Sequence, residues 1–456
     1  MMKNRIFIAL ALLALVFTAA PAQGAGLGVI RDEETEQTLR IFSKPVFDQA
    51  GLSANAVRFI LIDRNELNAF VAGGQNIFVF TGLILRTQDP GELFGVIAHE
   101  TGHIANGDLI RMRAEVEDMS FQVMAATLLG IAVGAASGSA QAGAAVISAA
   151  GSVGQRALLR HSRVQETAAD QSAVAYLKGA RLPIGGLASF MRKLEDQELL
   201  PESQQAEYVR THPLTRDRVA YLEAAAKQFN GDAMPPQWAE LHARMVAKLK
   251  GYLFPDQALQ DKGNSVAARY GRAIALYRKG KIEEALALLE PLIKAEPQNP
   301  YFYEAKGQML FERGRMEESL APYAKAVQLA PRSGLIRSAY GHALLESGSD
   351  PKRYTAAIAQ FQLALQTEPK DIKTHHFLAI SYGKQGQEGM SRLHLAEEQL
   401  LRGKMDYAIR EAQLAQASLP KNSASWLRAS DILDAAKRKR KEEKKDKKTR
   451  KDEEKD

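Results

Sequence analysis

Apolar positions along this chain fall into three regimes. From residue 6, Ile-Phe-Ile-Ala-Leu-Ala-Leu-Leu-Ala-Leu-Val-Phe runs unbroken for 12 residues behind Lys3 and Arg5. Residues 30–56 then show helical spacing, with Ile41, Val46 and Phe47 on one side. Val57–Ile62, Ala69–Ala72 and Ile77–Phe80 are short, β-branched or aromatic, and bounded by turn residues such as Gly73-Gly74; they predict three strands. Pro90-Gly91 opens a helix carrying Leu93, Phe94, Val96 and Ile97. Beyond Pro235 the pattern is helix after helix.

From residue 264 the helices repeat. Pro297, Pro331, Pro369 and Pro420 each close an amphipathic segment, and Gly280, Gly314 and Gly403 each lie 17 residues before their proline. Gly348 lies 21 before Pro369, which places a four-residue insertion around Ser349–Lys352. Small residues recur 12 before each proline, at Ala285, Ser319, Ala357 and Ala408. This resembles the tetratricopeptide repeat: helix pairs crossing at small residues and stacking into a solenoid that docks protein partners. Ile372–Lys384 reads as an extra helix between the third and fourth clear units.

The first regime reads as a secretory signal peptide. Twelve apolar residues are too few for a span, which needs about 20, and Ala20-Pro21-Ala22 fits small-x-small cleavage. The expected organisation is a signal peptide over 1–22, a first domain over 23–235, a helical connector over 236–263 and repeats over 264–436. A charged tail, disordered or a frayed helix, then covers 437–456. In a Gram-negative cell the mature chain is periplasmic. Met119–Gln155 holds 37 residues without a charge, but its glycines and serines keep it less apolar than a usual span. Soluble packing near the site is expected there, with membrane contact the minority reading.

Charge and composition exclude several classes. The net charge is +7, yet residues 1–22 carry +2 and residues 437–456, with 12 Lys/Arg against 7 Asp/Glu, carry +5. Residues 23–436 therefore balance to zero, which argues against a nucleic-acid partner. The absence of Cys removes disulfides, thiol nucleophiles and Cys-ligated zinc.

Three segments carry chemistry. His99-Glu100-Thr101-Gly102-His103 sets two imidazoles at i and i+4 on one helical face, able to grip one Zn²⁺. Glu100 beside them can take a proton from a water that the metal acidifies. Glu166 and Asp170 lie one turn apart on a helical segment: one carboxylate can bind zinc while the other accepts the outer N–H of a ligating imidazole, that of His99. Thr211-His212-Pro213-Leu214-Thr215-Arg216-Asp217-Arg218 is a loop leading into a helix. There His212 is a fourth ligand or an oxyanion donor, Arg218 another oxyanion donor, and a helix cap with solvated arginines the bland alternative.

These motifs, with the strand region Asn68–Gly82 and in this order, resemble the HtpX/CAAX-prenyl-protease family of zinc gluzincin peptidases. The resemblance implies an α+β metallopeptidase domain, mostly helical with a small sheet, followed by the all-α tetratricopeptide solenoid. It implies one zinc per chain held by His99, His103 and Glu166, with Glu100 as base and Asp170 supporting a ligand. It implies His212 as a histidine that holds the enzyme latent, and Arg218 as the arginine of the HP…R segment, with Arg216 competing. Gly74, Ile77 and Phe78 are the expected substrate contacts, on an edge strand that pairs with extended polypeptide. The implied activity is cleavage of unfolded or misassembled envelope proteins, outer-membrane β-barrels among them, with the repeats docking client or assembly machinery. A scaffold or chaperone with a latent, His-blocked site is the alternative. The basic tail is not part of the family pattern.

Overall fold

The computed structural model describes residues 28–72, 74–108, 111, 163–195, 208–209 and 212–453. The expected signal peptide, the uncharged stretch Met119–Gln155 and the last three residues lie outside them.

The first domain is α+β. Helix α1 (Glu33–Gln49) starts at Asp32, whose carboxylate accepts the Thr35 amide at 2.8 Å. It buries Leu39, Phe42, Val46 and Phe47. Strands β1 (Val29–Ile30), β2 (Arg58–Ile62), β3 (Ala69–Ala72) and β4 (Asn76–Phe80) form one sheet in the order β1-β2-β4-β3. Strands β2 and β4 are parallel; the other pairs are antiparallel.

This order corrects the expectation for Gly74, Ile77 and Phe78. Strand β4 is interior, bonded to β2 on one side and β3 on the other. Ile77 is buried in the core, Phe78 stacks on Phe70 with ring centroids 4.8 Å apart, and Gly74 sits in the β3–β4 turn at φ +98°. The physical reason is apolarity: Ile77, Val79 and Phe80 are all buried, so β4 takes the central slot while the shorter β3 takes the edge.

After α2 (Thr81–Arg86), helix α3 (Pro90–Asn106) runs through the centre of the domain. Asp89 caps it through the Gly91 and Glu92 amides, Pro90 occupies its first turn, and Gly107 at φ +70° ends it. Every residue from Pro90 to His103 is buried, so polar side chains on this helix are inside the protein. Helices α4 (163–179), α5 (Gly185–Leu194) and α6 (Arg216–Gln228) pack around it. Gly102 decides how close α4 comes: a Cβ there would lie 2.8 Å from the Ala169 carbonyl oxygen.

Helix α7 (Pro236–Leu253), expected as a connector, contributes Trp238, Met245 and Leu249 to this first core. A short helix α8 (Pro255–Gln260) leads to the repeats: α9 (Val266–Arg278), α10 (Ile282–Ala295), α11 (Pro300–Glu312), α12 (Met316–Leu329), α13 (Gly334–Glu346), α14 (Pro351–Thr367), α15 (Ile372–Lys384), α16 (Glu388–Leu401), α17 (Met405–Ser418) and α18 (Ala424–Glu453). The periodic residues act as their spacing implies. Gly280, Gly314 and Gly403 turn the chain at φ +83°, +78° and +74°. Ala285, Ser319, Ala357 and Ala408 are all fully buried where helices cross. The four-residue insertion lengthens α14 to 17 residues, against 14 in α10 and α12. Helix α18 crosses the expected domain boundary at 436 and carries the charged tail to Glu453.

A buried group of charges lies where the first domain meets the repeats. Lys248 lies 2.5 Å from Asp32 and 3.2 Å from Glu34, which also accepts the Tyr270 hydroxyl at 3.0 Å. Glu304 borders this group, and its Oε2 is sealed from solvent without a hydrogen-bond partner. Burial pushes its carboxyl up to about 8; Lys248 opposes the rise, while Asp32, Glu33 and Glu34 add to it. Between its ordinary value of 4.5 and about 8 the folded chain keeps a proton that the unfolded chain has lost. Stability therefore falls as pH rises across that window. Glu304→Gln is expected to melt a few degrees higher than the parent at alkaline pH and equally at pH below 4.5, measured by thermal denaturation at both.

Candidate metal centre

Helix α3 brings His99 and His103 to one face, with their Nε2 atoms 3.2 Å apart. Helix α4 approaches over Gly102 and sets Glu166 opposite them, 3.2 Å from His99 Nε2 and 3.5 Å from His103 Nε2. The segment before α6 adds His212, whose Nδ1 is 3.1 Å from Glu166 Oε1. One ligand atom from each of these four buried residues lies within 4.8 Å of all the others.

The outer nitrogens are held. His99 Nδ1 meets Asp170 at 2.8 Å, and His103 Nδ1 meets Asp108 at 2.8 Å. A carboxylate on Nδ1 fixes the proton there and turns the Nε2 lone pair inward. Two inward lone pairs 3.2 Å apart repel unless a cation lies between them. Tetrahedral zinc with Zn–N bonds of about 2.0–2.1 Å would hold its nitrogens about 3.3–3.4 Å apart, so the donor set fits that ion. Charge points the same way: Glu100, Asp108, Glu166 and Asp170 are buried together, with Arg218 the buried guanidinium among them. Burial alone would lower His99, but the hydrogen bonds it donates to Asp170 and Glu166 raise it to about 10. Burial alone would raise Glu166, but His212 and His99 hold it well below the usual carboxylate range. The carboxylates thus demand positive charge from protons or from a metal.

Glu100 is fully buried and both of its carboxylate oxygens lack a hydrogen-bond partner. It stands outside the ligand group, 3.5 Å from His212 Nε2.

Residues 33–226 match the model of Peptidase family M48. Over that range the first domain is similar to that family. Residues 266–334 match a tetratricopeptide repeat model. The chain is 28% identical over 267 residues to the β-barrel assembly-enhancing protease of Yersinia pestis, covering 55% of this chain and 54% of that one. It is 27% identical over 266 residues to the protein of the same name from Escherichia coli K12, covering 55% and 54%. The chain thus spans about half the length of the curated relatives it matches. Among solved structures, MamA MSR-1 C2 is 20% identical, with a TM-score of 0.29, over 35% of this chain and 96% of that one.

In this domain all seven residues expected at the centre come together: His99, Glu100, His103, Glu166, Asp170, His212 and Arg218. The competition between arginines is resolved by position. Arg216 is exposed in the first turn of α6, whereas Arg218 is buried. Its orientation corrects the oxyanion expectation. Nε and Nη2 bond Asp170 at 2.6 and 3.0 Å, and Nη1 lies 2.7 Å from the Pro213 carbonyl and 3.0 Å from Glu166. The guanidinium is occupied in holding Asp170 and Glu166.

Two contributors were missed in the sequence. Asp108 sits five residues beyond His103, returned to it by the left-handed Gly107; the signal was that each ligating imidazole needs an outer partner, and His103 had been given none. Tyr208 stacks on His212 with ring centroids 4.6 Å apart, and no spacing rule marks it.

Proposed function

We propose that the chain is a zinc endopeptidase of the cell envelope, exported to the periplasm, that cuts unfolded or misassembled proteins. The relatives' printed name makes outer-membrane β-barrel proteins the favoured clients, with the repeats docking client or assembly machinery. One observation carries the reading: two inward-facing imidazoles and Glu166 converge beside a buried, unpartnered Glu100. When bound, zinc supplies Lewis acidity that polarises the scissile carbonyl and acidifies water. Glu100 takes the proton of the attacking water and hands it to the leaving amine. Asp170 and Asp108 keep the imidazoles in register, and Arg218 fixes Asp170. Extended substrate backbone adds to the edge strand β3. Zinc-loaded protein is expected to cleave an unfolded β-barrel protein, and removal of the metal by a chelator to stop cleavage until zinc returns. Cleavage that survives complete metal removal, verified by metal analysis, sinks the reading.

His212 supports a second reading, a latent enzyme acting mainly as scaffold, because it completes a four-donor group and leaves no donor-free position on that side. His212→Ala is then expected to raise cleavage on the order of 10-fold by removing the cost of unlatching. A variant that retains zinc and is no faster argues against latency.

A further inference from the structure

The positive excess of residues 23–456 sits on one side of one helix. Residues 23–436 balance to zero, and residues 446–456 hold five basic and five acidic residues. The whole +5 therefore lies in residues 437–445, where seven Lys/Arg stand against Glu442 and Glu443. This stretch continues α18 past Ala436, where the packed face of the helix ends among the described residues. At 100° per residue, Arg440, Lys444, Lys437, Lys441, Lys445 and Arg438 fall within one sector of about 160°. Glu442 and Glu443 fall outside it, with Lys439 between them. Packing fixes where the sector points. Ala429, Ile432, Leu433 and Ala436 are buried against α16 and α17, and Arg440 lies 2.9 Å from Asp406 of α17. Lys437, Arg438, Lys441, Lys444 and Lys445 are exposed.

Solubility alone does not ask for such a stripe. Lys437, Lys441 and Lys445 stand at successive i,i+4 positions, as do Arg440 and Lys444, and like charges so placed destabilise a helix. An anionic surface beside the stripe relieves that repulsion. Two apolar side chains share the sector. Leu427, 51% exposed, and the partly exposed Trp426 precede Lys437 by about three turns, with Asp434 the acid between them and the stripe. An indole and a leucine beside a basic stripe suit the headgroup layer of a bilayer, where Trp settles and Lys/Arg meet lipid phosphates. Among the described residues no helix is long and apolar enough to cross a membrane, so the contact fits a surface.

We propose that this side of α18 binds an anionic lipid surface, residues 437–445 meeting the headgroups while Trp426 and Leu427 enter the interface, so that the end of the repeats is held at a membrane. Nucleic acid and acidic protein share the charge complementarity. The export proposed above takes the chain away from nucleic acid, and a lipid surface answers both the stripe and the exposed apolar pair. The binding itself does not depend on the peptidase reading, because α18 lies outside the metal centre.

The test sediments residues 23–456 with vesicles of phosphatidylcholine alone or of equal parts phosphatidylcholine and phosphatidylglycerol. Each Lys or Arg at an anionic surface strengthens attachment roughly fivefold. Binding to the anionic vesicles is therefore expected to exceed that to neutral ones by on the order of 100-fold, and to fall about 10-fold or more between about 0.05 and 0.5 M salt. A variant combining Lys441→Glu, Glu442→Lys, Glu443→Lys and Lys444→Glu keeps the net charge and composition and changes no packed residue. It is expected to bind anionic vesicles about 10-fold more weakly, because acids now interrupt the stripe. Brominated lipid chains are expected to quench Trp426, since the other tryptophan, Trp238, is buried in the first core, and Trp426→Phe to remove the quench. Equal affinity of the rearranged variant overturns the stripe. Equal affinity for neutral and anionic vesicles overturns the lipid partner, as does tighter binding to duplex DNA or polyglutamate at the same salt. Vesicle-bound protein without quenching overturns the entry of Trp426. The vesicle, salt and polymer comparisons use the parent chain, so they stand however the variants fold.

Discussion

Glu100→Gln is expected to lower cleavage of an unfolded protein by about 10²–10⁴-fold, the range for a lost general base, while zinc content stays at one per chain. The carboxylate stands outside the four-donor group, so the metal should not notice its replacement. The amide keeps its shape but cannot carry a proton between water and amine. A second expectation separates chemistry from structure. Both Glu100 oxygens are buried without a hydrogen bond, an arrangement that costs stability, since a buried polar group lacking a hydrogen bond loses its hydration. The variant should therefore melt no lower than the parent and should melt higher in the metal-free state. Thermal denaturation beside a cleavage assay reads both. Undiminished proteolysis removes Glu100 as base; a large drop in melting temperature shows it to be a structural acid instead.

That combination explains why the centre was legible from the chain. A helix repeats every 3.6 residues, so His99 with His103, and Glu166 with Asp170, declare a shared face wherever the helices sit. Their meeting needs only that α4 cross α3 closely, which Gly102 allows. The repeats were legible for a similar reason: Gly280, Gly314 and Gly403 mark turns that only a left-handed residue makes easily, and the prolines mark where helices stop. What was not legible is what depends on non-local choices. Strand β4 follows β3 through a tight turn, and nothing in either strand says which will be covered by β2; the edge passed to β3 because β4 is the more apolar. Arg218 was visible as a residue but not as a direction, since its partners lie 48 and 52 residues earlier on another helix. Asp108 was hidden by the irregularity of one left-handed glycine.

Arg218→Ala is expected to cost about 3–5 kcal/mol of folding stability, the usual loss when one partner of a buried ion pair is removed. Both members are sealed: Arg218 is 4% exposed, and Asp170 and Glu166 are 1% and 5% exposed. Asp170 would keep its bond to His99 Nδ1 but lose the guanidinium that also holds it below the usual carboxylate range. Glu166 would lose a partner at 3.0 Å. Beyond the protons that His99 and His212 hold, the remaining source of positive charge is the metal position, which gives the sign of a further effect. Zinc should stabilise Arg218→Ala by more than it stabilises the parent, because in the variant it answers carboxylates that have lost their guanidinium. Urea denaturation of both proteins, metal-free and zinc-loaded, measures the two differences. Pairing the change with Asp170→Asn should recover part of the lost stability, since the stranded charge is then gone, but not the zinc affinity, since His99 loses the carboxylate that orients it. A variant that folds with parental stability yet loses cleavage returns Arg218 to the oxyanion role and breaks the chain of support running from Arg218 through Asp170 to His99.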